Sequence, residues 1–186
     1  MNQKYVKVMF GQISGADKNL HYKLNEINIA SNWNPNEKDP KEMGGFNFGV
    51  EDKILGWLVR GDTLYEIEIP ENAEVIEVEN EFTTHGVFRS NKIILRNPVR
   101  ITDKLAMKLY KKQTLPEKSY YKTIADLAVR GHKNTAMQII KDKVNKDNID
   151  LVLKEVNDFL TKGASVSEGN QQVTNETLEK LNKIKE

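Results

Sequence analysis

Residues 43–102 read MGGFNFGVEDKILGWLVRGDTLYEIEIPENAEVIEVENEFTTHGVFRSNKIILRNPVRIT, and the reading of this stretch decides the fold. Gly44-Gly45 leads into Phe46-Asn47-Phe48. Val50-Glu51-Asp52 then opens a helix expected to run to about Val59, with Ile54, Leu55, Trp57 and Leu58 as its apolar stripe. Its acidic residues fall in the first turn, where the helix dipole favours them. Arg60-Gly61-Asp62 makes a turn, and TLYEIEIP sets Leu64, Ile67 and Ile69 around Glu66 and Glu68, a half-buried strand closed by Pro70. AEVIEVEN alternates again through Val75, Ile76 and Val78. NKIILRNP, residues 91–98, has the continuous apolar run Ile93-Ile94-Leu95 expected of a central strand.

N-terminal to this block, KYVKVMF at 4–10 alternates at Tyr5, Val6, Val8 and Phe10 and stops at Gly11, which predicts a strand with one buried face. QISGADKNL predicts a turn, and HYKLNEINIA a short strand or an irregular segment. SNWNPNEKDPKEMGG predicts a long loop, with Trp33 tying it to the core. After Thr102 the period changes from two to 3.6. Thr102 caps a helix expected over about 103–112; Thr114-Leu115-Pro116-Glu117 reads as a capping box opening a second helix to about Arg130, ended by Gly131. A third helix is expected over about 133–145, and a fourth from about Asp147–Asn148 to Lys162-Gly163. GASVSEGNQQVT, residues 163–174, predicts a flexible linker, and NETLEKLNKIKE a short terminal helix with Leu178, Leu181 and Ile184 on one side.

The fold class expected is therefore α+β: a small mixed β-sheet core over 1–102, a four-helix segment over 103–162, and a linker with a short helix over 163–186. The 186 residues contain 28 Lys and Arg against 27 Asp and Glu, a balance that argues against a dedicated nucleic-acid binder. The balance conceals a split, since residues 1–102 carry 12 basic and 15 acidic side chains and residues 103–186 carry 16 and 12. The absence of cysteine excludes disulfides, thiolate catalysis and Cys-ligated metal, and fits a cytoplasmic setting. No export signal or membrane span is expected, because MNQKYVKVMFGQ lacks an apolar stretch and no run nears 18 apolar residues. Heavy use of Lys, Asn and Ile suggests a bacterial or phage genome.

Several residues carry candidate chemistry. His21, His85 and His132 share no helical metal spacing and no HExxH occurs, so no metal is expected and each histidine reads as solvent-facing or locally bonded. Glu77 and Glu79 sit two apart, about 7 Å along a strand, and either form an acid–base pair or the wet face of that strand. Gly44-Gly45, before Phe46-Asn47-Phe48, either permits close backbone approach to a ligand, with Asn47 a further candidate contact, or supplies positive φ for entering a strand. Arg89, Asn91 and Lys92, at the start of the Ile93-Ile94-Leu95 strand, lie at a sheet edge where pockets form, and Arg89 and Lys92 read either as contacts for a phosphate or carboxylate or as ordinary solvated ends. Arg100, Lys104, Lys108 and Lys112 belong to a basic stretch over 96–122, which reads either as a solvated face or as a contact for nucleic acid or an acidic partner.

The order of strand, glycine-led FNF, short helix, YEIEIP strand and KIIL strand resembles the sheet core of ADP-ribosyltransferase-like proteins, over about residues 4–102. The resemblance implies NAD as ligand, held in a cleft between two sheet halves, and a late catalytic glutamate, for which Glu77-Val78-Glu79 supplies the letters. It also implies an Arg or His on the first strand, which YVKVMFG does not offer, and a Ser-Thr-Ser strand or Tyr pair; no Ser-Thr-Ser is present. Ser90 and Asn91 stand where the NKIIL strand would carry the glutamate. The expectation is a degenerate module that binds a nucleotide or a protein partner without catalysis. The alternatives are NAD-dependent transfer through Glu77 or Glu79, and nucleic-acid binding through the 96–122 face.

Overall fold

The fold is that of a computed structural model, which describes residues 3–13, 20–39, 42–162 and 170–186. The chain divides into two compact units, one of Met1–Ile54 with Arg60–Arg100 and one of Leu55–Val59 with Ile101–Glu186. The class is α+β. No helix among the described residues is long and apolar enough to cross a membrane.

The first unit is a seven-stranded sheet of β1 (Tyr5–Met9), β2 (Ile27–Ile29), β3 (Phe46–Val50), β4 (Thr63–Glu68), β5 (Val75–Glu77), β6 (Val87–Ser90) and β7 (Lys92–Arg100), in the order β2-β7-β4-β1-β3-β6-β5. Every ladder between these strands is antiparallel, and among the described residues parallel pairing is confined to the isolated bridge Leu24–Leu95. Ile93-Ile94-Leu95 is flanked on both sides, by β2 and β4, as its apolar run requires. β7 continues to Arg100 through Asn97-Pro98 because a bulge falls there: Leu64 pairs with Val99 but Glu66 with Arg96, so two residues of β7 face one of β4. Asn97 takes the left-handed conformation, φ 48°, and its amide donates to Glu66 Oε2 at 2.7 Å. Proline, without an N–H, is tolerated at such a bulge.

β6 is a correction to the sequence reading. Phe88-Arg89-Ser90 is not the polar lead-in to β7 but a strand of its own, paired with β3 on one side and β5 on the other. Only Asn91 separates β6 from β7, yet the two lie four positions apart in the strand order. Neighbouring strands in a flat sheet are about 4.8 Å apart, so that separation would be about 19 Å. Three consecutive Cα atoms span at most about 7 Å. The sheet must therefore curl until its ends meet, and Asn91 is the seam: its carbonyl accepts from Ala30 N beyond β2, and it exchanges hydrogen bonds with Glu74 beside β5. Inside the curl lie Met9, Phe46, Phe48, Tyr65, Phe88 and Leu95, with Tyr5 set edge-on to Phe48 and Phe88.

Glu51–Arg60 forms the expected helix, as a 3₁₀ helix. In the turn after it, Asp62 N–H donates to Met9 O, and Asp62 Oδ1 accepts from Gly11 N and Thr63 Oγ1. Arg60-Gly61-Asp62 is thus a corner of the sheet.

The second unit contains α1 (Asp103–Tyr110), α2 (Glu117–Val129), α3 (Lys133–Lys143), α4 (Ile149–Lys162) and α5 (Gln171–Lys185). Thr102 caps α1 as its sequence predicts, accepting from Leu105 N at 3.2 Å. The capping box at 114–117 does not form: α2 starts at Glu117 with Pro116 in the cap position and no side-chain cap bond. The Glu117 carboxylate instead accepts from Tyr121 Oη one turn on. α2 is buried nearly all round, and α3, α4 and α5 pack on it. Asp103 ties α1 to the start of α3, accepting from Asn134 N, Asn134 Nδ2, Thr135 N and Thr135 Oγ1 at 2.6–3.1 Å. Burial pushes this carboxyl up, but those donors outweigh it and hold it below the usual aspartate range.

Two further expectations change here. Residues 163–169 of the expected linker lie outside the described residues, while Asn170 caps α5 by accepting from Val173 N and Gln171–Thr174 form its first turn. The helix is longer than its apolar spacing suggested because Val173, Thr174 and Thr177 join Leu181 in the buried face. His132, read as solvent-facing or locally bonded, is not solvent-facing: it is buried where α2 passes into α3. Burial pushes its imidazole below the ordinary value, with Asp103 opposing and Arg130 assisting.

Candidate functional site

Gly44 and Gly45 take φ of 70° and 69°, a region that glycine enters without strain. What approaches their backbone is the chain itself. A Cβ on Gly44 would fall 1.8 Å from Asn32 O, and one on Gly45 would fall 2.5 Å from the Trp33 ring and 2.8 Å from Ser90 O. Trp33 is half-buried there, and its indole N–H donates to Glu74 Oε2 at 2.5 Å, so it holds the 31–39 loop as expected. The double glycine is the seat of that loop.

The sequence-predicted residues separate into distinct places. Glu77 is exposed and ends β5, so Glu79 lies past the strand and the expected strand pair is not formed. Glu77 Oε1 accepts from Gly86 N at 2.7 Å, which closes the turn before β6. Glu77 and Glu79 line a depression of about 650 Å³ with Glu37, Lys38, Met43 and Glu81. Asn91 is the seam already described, and Lys92 Nζ donates to Asn72 O at 3.4 Å. Arg100 ends β7 in the sheet unit. In the helical unit Lys104, Lys108 and Lys111 are exposed and border a depression of about 430 Å³ with Met107. Lys112 is also exposed, just beyond α1. His21 and His85 are exposed, as expected. Among the described residues no group of three or more His, Asp and Glu is arranged to hold a metal.

Asn47 and Arg89 do come together, as register partners on β3 and β6, and therefore on one face. A residue the sequence reading passed over joins them. Lys7, midway along β1, is only 6% exposed. β1 and β3 pair at Tyr5–Val50 and Val6–Gly49 and no further. Beyond that point the Lys7 ammonium donates to Asn47 O at 2.5 Å and Asn47 Oδ1 at 2.7 Å. It also lies 5.5 Å from the centre of the Tyr22 ring. Arg89 Nη1 donates to Gly44 O at 2.5 Å. Burial, with Arg60 and Arg89 adding to it, pulls Lys7 down to about 7. Burial also lowers Arg89, against the opposing influence of Asp39 and Tyr22. Among the described residues, neither Lys7 nor Arg89 forms an ion pair.

The alternation in KYVKVMF gives the buried face to Val6 and Val8 and sets Lys7 opposite them, so nothing in the sequence marks Lys7 as buried. Both faces of β1 are buried, since Val6, Lys7, Val8 and Met9 are all under 9% exposed.

Compared with known protein families, with curated proteins and with solved structures, the chain matches none.

Proposed function

We propose that this chain is a non-catalytic binding module of the cytoplasm whose sheet unit holds a nucleotide, a degenerate relative of ADP-ribosyltransferase-like proteins. The observation that carries the reading is the cationic set Lys7 and Arg89 around Asn47, with no carboxylate among the described residues bonded to either cation. A site of this sign suits a phosphate-bearing ligand. The placement of the glutamates supports the absence of catalysis. Glu77 is engaged with Gly86 N at the exposed end of an edge strand, and Glu79 is exposed beyond it. An exposed carboxylate at a sheet edge lacks the dry, oriented surroundings that make electrostatic stabilisation of a cationic transition state effective.

Isothermal titration calorimetry with ATP, ADP and NAD, paired with a nicotinamide-release assay, tests the proposal. The expected result is saturable binding of at least one nucleotide and no nicotinamide release. Failure of every nucleotide to bind refutes it. Nicotinamide release that disappears in Glu77→Gln or Glu79→Gln would replace it with NAD-dependent transfer.

A further inference from the structure

We propose that Lys7 and Arg89, bridged by Asn47, form a receiving site for a phosphoryl group where β1 and β3 part. The inference rests on the nucleotide reading for the ligand's class and deepens it by naming the group that is held and the atoms that hold it.

Three cations bear on one another here. Arg60 and Arg89 both act on Lys7, and Lys7 is the most deeply buried of the set. Charges withdrawn from water are ordinarily paired, because an uncompensated one costs several kcal/mol. Among the described residues the partners of Lys7 are instead two oxygens of a single neutral residue and the face of Tyr22. Among the described residues Arg89 donates to one carbonyl, which leaves most of its five donors for a ligand. The acid that bears on Arg89 is Asp39, and Tyr22 is the other titratable group facing the pair. Tyr65, opposite Lys7 on β4, spends its hydroxyl on Gly11 O. An arriving dianion meets a fork from Arg89 and a point charge from Lys7, the pairing that phosphate recognition uses.

The same geometry couples binding to protonation. Near neutrality the Lys7 amine is held between its two forms, and a phosphoryl group beside it favours the ammonium. Binding should therefore take up a proton. Affinity should fall as pH rises from 7 toward 9, because the amine must then be charged at the ligand's expense.

The test uses the full chain and pyrophosphate as probe, titrated calorimetrically at pH 7 in two buffers of different ionisation enthalpy, with acetate as competitor. Pyrophosphate is expected to bind with a net proton uptake. Lys7→Met and Arg89→Gln should each weaken it by about tenfold or more. Lys7→Arg should keep the affinity within about threefold while abolishing the proton uptake. Lys104→Met, in the helical unit, should change neither quantity. Unchanged affinity in folded Lys7→Met or Arg89→Gln overturns the proposal, as does binding without proton uptake in the natural chain, which needs no variant to fold. Acetate displacing pyrophosphate at equal concentration overturns the phosphoryl assignment. Pyrophosphate binding without nucleotide binding leaves this site standing and removes the nucleotide reading; nucleotide binding indifferent to Lys7 and Arg89 does the reverse.

Discussion

Replacing Lys7 by methionine should make the protein more stable in mild acid, and the gain should vanish on the way to alkaline pH. Lys7 is pulled from an ordinary 10.5 to about 7 in the folded chain. Between those values the unfolded chain holds one proton more than the folded one, so folding stability rises with pH across the window. The slope for one group is about 1.4 kcal/mol per pH unit. Over the whole window Lys7 thus withholds on the order of 5 kcal/mol of stability below pH 7, and recovers it by about pH 10. Methionine fills a similar volume without a charge to desolvate. It sacrifices the two hydrogen bonds to Asn47, a pH-independent offset of about 1–2 kcal/mol. Urea unfolding of both proteins at pH 6, 7, 8, 9 and 10 gives the difference directly, since the other titrating groups are common to both. The variant should be favoured by a few kcal/mol at pH 6, with the difference falling by about 1.4 kcal/mol per pH unit above 7. A difference that stays constant from pH 6 to pH 10 would refute the reasoning, because Lys7 would then titrate alike in both states.

Three other outcomes are expected. Gly45→Ala puts a Cβ against the Trp33 ring and Ser90 O at positive φ, which should lower stability by about 2–4 kcal/mol and shift Trp33 emission to the red in a Trp57→Phe background. Asp103→Ala removes the shared acceptor at the start of α3 and should lower the unfolding free energy by about 1–2 kcal/mol at pH 7. Because the folded Asp103 carboxyl is held below its ordinary range, that contribution is complete above the ordinary aspartate value and lost as pH falls through the lowered one, so melts of variant and natural chain should converge in strong acid. Glu77→Gln retains an oxygen for Gly86 N and should leave stability within about 0.5 kcal/mol and nucleotide affinity unchanged, as read by urea unfolding and calorimetry.

Local pattern was a sound guide to where strands lie, and a poorer one to which faces they bury. KYVKVMF, TLYEIEIP and NKIILRNP form β1, β4 and β7, yet burial runs unbroken over Val6–Met9 and Ile93–Leu95 instead of alternating. Thr102 and the change to a 3.6 period mark α1 because capping is decided within one turn. The pattern misled where long-range partners decide. Val87–Ser90 is too short and too polar at Arg89 to announce a strand, and is one because β3 and β5 flank it. Thr114 and Glu117 have capping-box spacing, yet Tyr121 takes the glutamate.

What the sequence determined by itself is the α+β class, the places of β1, β4 and β7 and the start of α1 at Thr102, since these follow from residue pattern and capping chemistry along the chain. Only the tertiary structure decided the rest. Curling the sheet brings Asn91 to its seam, seats Asn32 and Trp33 against Gly44-Gly45, and leaves the Lys7 ammonium on Asn47 beside Arg89. Lys7, Asn47 and Arg89 are separated by some forty residues at each step, and nothing local in any of the three indicates the others. Their meeting is fixed by strand order and register, which depend on which faces are buried and against what.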